Sequence, residues 1–67
     1  MTLTDILKEA HDTKAFLEVY LSNGQHFRAL VKSLHSDLVV FSQLSGREFY
    51  EAYVPTHQIT YVEKRIS

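Results

Sequence analysis

From Leu17 to Phe41 apolar and polar residues alternate with a period of two, and the alternation breaks twice, at Asn23-Gly24 and at His35-Ser36-Asp37. A period of two sends successive side chains to opposite faces of a strand, so the pattern predicts three antiparallel strands in a meander. The first covers Ala15 to Ser22, with Leu17, Val19 and Leu21 facing the core and Phe16, Glu18, Tyr20 and Ser22 facing away. Asn23 and Gly24 both tolerate positive φ, which predicts a type I′ turn after it. The second strand, Gln25 to Leu34, sets Phe27, Ala29 and Val31 against His26, Arg28, Leu30 and Lys32. Both of its faces are apolar near Leu30, the mark of a long, bent strand shared by two sheets. The third, Leu38 to Gln43, opens Leu-Val-Val-Phe, apolar on both faces, which predicts an interior position.

A helix precedes these strands. Thr2-Leu3-Thr4-Asp5 has the form of a capping box, and Leu3, Ile6, Leu7 and Ala10 share one face of a helix over about 3–11. A helix this short is marginal alone and must dock on the sheet. After the third strand, Leu44-Ser45-Gly46-Arg47 reads as a turn. A fourth strand over Glu48 to Val54 alternates Phe49, Glu51 and Tyr53 with Tyr50, Ala52 and Val54, and Pro55 ends it. Thr56-His57-Gln58 is a tight connection into a fifth strand, Ile59 to Glu63, and Lys64-Arg65-Ile66-Ser67 forms a basic tail. The fold expected is mainly β with one N-terminal α-helix: a five-stranded, strongly bent antiparallel sheet forming a small SH3-like barrel, one domain over 1–67. The connections are hairpin-short, which favours meander order over the longer crossings of an OB fold.

Composition narrows the function. A chain of 67 residues buries only about 60% of its unfolded surface, and scaffolds this small often gain stability by self-association. There is no cysteine, so no disulfide framework and no thiolate zinc site; this fits a cytoplasmic setting. No apolar run approaches the roughly 18 residues of a membrane span. Seven basic residues against eight acidic give a net charge of −1, whereas a free-standing nucleic-acid binder is usually basic. No histidine pair has metal-ligand spacing, and Ser, His and Asp occur in no nucleophile-elbow or triad setting. Neither an enzyme nor a cofactor or metal site is expected.

The order of elements and several short motifs resemble the Sm-like (LSm) superfamily, and within it the bacterial RNA chaperone Hfq. The matching residues are Asp5 and Leu7 in the opening helix, Val19-Tyr20-Leu21-Ser22-Asn23-Gly24 at the first hairpin, and Val31, Ser33 and Leu34 before an apolar strand. Further on, His57-Gln58-Ile59-Thr60-Tyr61-Val62 looks like the family's H-x-I-S-x-V stretch, after extra residues at the Gly46 turn. The departures are specific. Ala29 stands for a family glycine, His35 for an aspartate, and Asp37 for the aromatic that stacks on uracil. Pro55-Thr56 replaces Tyr-Lys, and His11-Asp12-Thr13-Lys14 replaces an arginine-rich rim.

The resemblance implies a ring, a hexamer in Hfq, whose β4 and β5 edges pair between neighbours, and it implies two surfaces for single-stranded RNA. On the pore side it implicates His35, Ser36, Thr56 and His57; the alternative is that His57 only caps the turn after Pro55. On the hairpin face it implicates Tyr20, Gln25, His26, Phe27 and Arg28, where Tyr20 and Arg28 point away from the core and offer a stacking ring and a phosphate-directed charge. The alternative there is ordinary cross-strand packing of Tyr20 on Arg28. For the edges, the alternative to a ring is closure of strand 1 on strand 5 within one chain. Two functions follow: a ring protein binding single-stranded RNA as a post-transcriptional regulator or RNA chaperone, or an SH3-like protein-interaction module that binds no RNA. The acidic balance, Asp37 and the missing rim arginines favour the second.

Overall fold

The computed structural model describes residues 1–66, so Ser67 of the expected tail lies outside the described residues. Helix α1 (Leu3–Thr13) opens with the capping box: Asp5 N–H donates to Thr2 Oγ1 at 3.2 Å, and Thr2 N–H donates to Asp5 Oδ2 at 3.1 Å. Leu7 and Ala10 are buried on the helix's inner face, with Leu3 packed against the same core. The helix runs two residues past its expected end and stops at Lys14, which is left-handed (φ 55°). The N–H groups of Lys14 and Ala15 return to the Ala10 carbonyl. That position favours glycine, because a Cβ in the left-handed region crowds the following carbonyl oxygen.

Strands β1 (Phe16–Leu21), β2 (His26–Leu34), β3 (Leu38–Ser42) and β4 (Ala52–Pro55) form a meander. Strand β5 (Ile59–Lys64) then returns to the far side of β1, giving the order β4-β3-β2-β1-β5. This corrects the expected simple meander. Strand β2 is the bent strand expected: residues 26–30 pair with β1 and residues 30–34 with β3, with Leu30 opposite both Phe16 and Ser42. A bulge between Val31 and Ser33 sharpens the bend. The core collects Leu7 and Ala10 from the helix with Leu17, Val19, Ala29, Val31, Val39, Phe41, Val54 and Ile59 from the strands. Phe27 meets Phe41 edge-to-face at 5.3 Å.

Two further expectations are corrected, the type of the first hairpin and the start of strand 4. The first hairpin is not type I′: Asn23 does not have positive φ, while Gly24 does, at 90°. Gly24 N–H donates to the Leu21 carbonyl and Leu21 N–H to Gln25, giving a three-residue loop with glycine in the left-handed position that closes it. The Leu44-Ser45-Gly46-Arg47 turn forms as expected, with Arg47 N–H on the Leu44 carbonyl at 2.9 Å and Gly46 at φ 79°, but its first residue is not a surface one. Left-handed Gln43 (φ 57°) breaks the alternation after β3 and drops Leu44 into the core, 1% exposed. Strand 4 starts at Ala52 and not at Glu48, because residues 44–51 form a loop held by a Leu44–Arg47 bridge and by Ser45 N–H on the Arg28 carbonyl. Phe49 and Tyr50 consequently lie exposed on that loop, while Ile59, the first residue of β5, is buried.

Two of the positive-φ sites, Lys14 and Gly24, predict opposite responses. Lys14→Gly should raise unfolding free energy by about 0.5–1 kcal/mol, and Gly24→Ala, whose Cβ would meet nothing within 4 Å, should lower it by about 1 kcal/mol through backbone strain alone. Urea titrations of the two variants check the signs.

Candidate nucleic-acid interface

On the face of the sheet turned from the core, register brings three rings into one row. His26 of β2 and Tyr61 of β5 both stand opposite Tyr20 of β1. The Tyr20 ring stacks on Tyr61 at 4.5 Å with 5° between planes, and on His26 at 5.2 Å and 20°. Since β2 and β5 flank β1 on opposite sides, Tyr20 is the middle of a three-ring ladder, and its two faces are taken. The faces open to a ligand are the outer ones, of His26 and of Tyr61. Burial between its ring neighbours, then the charges of Glu63 and Glu18 with Tyr61 between them in weight, push the Tyr20 phenol up from its ordinary value; its hydroxyl lies 3.4 Å from Glu63.

Two register positions along, on the same face, Arg28 stands opposite Glu18, and its guanidinium lies 4.6 Å over the Phe16 ring. The cross-strand packing of Tyr20 on Arg28 weighed from sequence is therefore not what forms. Arg28 stacks on Phe16, and Tyr20 on His26 and Tyr61. Gln25 is exposed at the hairpin, where its N–H donates to Asn23 Oδ1, and Phe27 is half-buried against the core. Tyr61 was not read as part of this face, because only the return of β5 onto β1 sets it opposite Tyr20.

The second cluster gathers at a single turn of 3₁₀ helix, η1 (Thr56–Gln58), between β4 and β5. Thr56 N–H donates to the Asp37 carbonyl at 2.9 Å, and Ser22 N–H donates to the Gln58 carbonyl at 2.8 Å. The β2–β3 turn and the β1–β2 loop thus clamp η1 from two sides, and a Ser22 hydroxyl to Gln58 side-chain bond adds to the second clamp. His57 sits exposed between the clamps and lines a cleft of about 300 Å³ with Asp37, Leu38 and Pro55. His35 turns back along its own strand, its Nε2 3.3 Å from Ser33 Oγ, and Ser36 is exposed at the turn. Four residues read as one pore-side group therefore separate: His57 shares its cleft with Asp37, which by resemblance stands where the family has its stacking aromatic, and His35 does not line that cleft. A carboxylate beside His57 opposes a phosphate there.

Neither cluster has the donor set of a metal centre; among the described residues no group of three His, Cys, Asp or Glu side chains could hold an ion. No helix among them is long and apolar enough to cross a membrane.

The sheet's outermost strands are β4 and β5. Beside β4, the Glu51 carboxylate accepts from Lys32 Nζ and, at 2.8 Å, from the Tyr53 hydroxyl, tying the end of the 44–51 loop to β2. Those bonds hold Glu51 below its ordinary value, Lys32 first and Tyr53 next, and raise both partners.

A helix followed by five strands in the order β4-β3-β2-β1-β5, with a one-turn link into the last, is the Sm-like fold as Hfq has it. A crystal structure of the pleiotropic translational regulator Hfq superposes on this chain with a TM-score of 0.78. The match covers 94% of this chain and 89% of that one, at 13% identity. No family model matches the sequence, and no curated protein matches it.

A depressed carboxyl gives a stabilising contact that is complete above the ordinary glutamate value of 4.5 and is lost as pH falls through the lowered folded value. A carbon-detected NMR titration should find the Glu51 midpoint below 4.5, and Lys32→Met should move it up. A midpoint unmoved by Lys32→Met would contradict the anchor.

Proposed function

We propose that copies of this chain, each a single Sm-like domain over 1–67, join through their β4 and β5 edges into a cytoplasmic ring, a hexamer as in the resemblance. The ring binds single-stranded RNA and acts as a post-transcriptional regulator or RNA chaperone without catalysing a reaction. The observation that carries the reading is the His26–Tyr20–Tyr61 ladder on the outer face, with Arg28 two register positions away. Unpaired bases stack on aromatic faces, at roughly 1–3 kcal/mol per base, while guanidinium groups take the backbone.

The edges support the ring. Unpaired N–H and C=O groups run along the outer sides of β4 and β5, and two unlike edges on one chain fit each other head-to-tail. Tyr53 and Tyr61 are exposed on these strands; the charges of Glu63 and Lys64 sit at the far end of β5. The pore-side residues His35, Ser36, Thr56 and His57 belong to the proposal through His57, which its backbone clamps hold in place; beside Asp37 it contacts a base, not a phosphate. The hairpin residues Tyr20, Gln25, His26, Phe27 and Arg28 form the second surface. One feature favours the other reading, a protein-interaction module: Phe49 is fully exposed at the tip of the 44–51 loop.

Anisotropy titrations with labelled oligo-U and oligo-A at low salt test the proposal. Tyr20→Ala, which collapses the ladder, should weaken oligo-A binding roughly tenfold or more, and His57→Ala should weaken oligo-U without changing the particle mass. No binding of either oligonucleotide at micromolar protein would transfer the function to protein recognition.

A further inference from the structure

The loop 44–51 carries an arginine to the hairpin face. Arg47 and Ser45 line a cleft of about 310 Å³ together with Glu18, His26, Phe27 and Arg28. A second depression, of about 440 Å³, continues past Arg47 to Gly24 and Gln25 and shares His26 and Phe27 with the first. The loop's position is fixed by main-chain bonds: Ser45 N–H donates to the Arg28 carbonyl and Arg47 N–H to the Leu44 carbonyl, each at 2.9 Å. Leu44, buried in the core, anchors the loop from below. Glu48, the carboxylate next along the loop, is drawn back to the Gly46 N–H at 3.2 Å. Among the described residues, neither Arg28 nor Arg47 has a carboxylate within ion-pair distance.

We infer that this cleft is a nucleotide subsite, with a base on the outer face of His26 and the adjoining backbone phosphate between Arg28 and Arg47. It rests on the RNA-binding reading and adds a residue and a subsite to it. Two guanidinium groups without carboxylate partners, facing one cleft, are the arrangement that takes a phosphate oxyanion. His26 ends the aromatic ladder and lines both depressions, so the one open ring face on that side lies beside the two arginines. Glu18, the one carboxylate lining the first depression, sets the polarity: it leaves the phosphate to the Arg47 side of the cleft. A protein with a net charge of −1 thereby places two of its seven basic side chains where a strand would cross the hairpin.

The test is anisotropy with labelled oligo-A across a salt series, comparing the full chain with Arg47→Gln, Arg47→Lys and Tyr20→Ala. The Arg47 side chain is outside the core, and an NMR spectrum unchanged away from the loop checks that the variant folds. Arg47→Gln should weaken binding roughly fivefold at low salt and flatten the slope of log K against log salt by about 0.7, the loss of one single-strand phosphate contact. Arg47→Lys should keep the slope. If Arg47→Gln retains both affinity and slope while Tyr20→Ala loses binding, the cleft is not the subsite and the RNA-binding reading stands. If the unmodified chain binds oligo-U but no oligo-A, the subsite falls alone; if it binds neither, both fall.

Discussion

A three-residue link decides the shape of this molecule. Strands β4 and β5 are the two ends of the sheet, yet only Thr56, His57 and Gln58 join them. One turn of 3₁₀ helix rises about 2 Å per residue, whereas the ends of a flat five-stranded sheet lie about 19 Å apart. The sheet has to curl until its ends meet. The bulge at Lys32 and the hand-over at Leu30 are where β2 makes that curl. Curling encloses the core and brings both hairpin turns against the link, where Asp37 and Ser22 bond to it. The same link keeps β4 and β5 from pairing with each other, so the chain ends with a barrel wall and two open edges.

The proposed assembly rests on those edges, and the proposed recognition on the outer face. The pairing of β5 with β1, which from sequence looked like the alternative to a ring, leaves β5's other side open, so it is compatible with one. It also sets Tyr61 on Tyr20 and completes the ladder. With a near-neutral charge balance, stacking would supply most of the affinity in the proposed RNA binding. The two arginines without ion pairs are placed beside the ladder and not spread over the surface.

Most of the architecture was legible because it rests on local rules. The Thr2–Asp5 cap, the period-two alternation of Leu17 and Val19, and the double-faced Leu38 to Phe41 run each state their structure within a few residues. The strand 4 boundary failed because Phe49, Glu51 and Tyr53 alternate as a strand would, although left-handed Gln43 had already turned the chain and Leu44 had taken a core position. The turn type failed because Asn-Gly serves both a two-residue loop and a three-residue loop ending in glycine. Half of the candidate face could be read in β1 and β2. Tyr61 and Arg47 could not, since each reaches its cluster through a contact between elements far apart in sequence.

The account turns on whether the open edges meet. Native mass spectrometry of the full chain at micromolar concentration measures this directly. The account predicts one closed assembly whose mass is a whole multiple of 7.8 kDa, six copies in the hexamer, with no continuing series of larger species. A single 7.8 kDa particle at every concentration would contradict it.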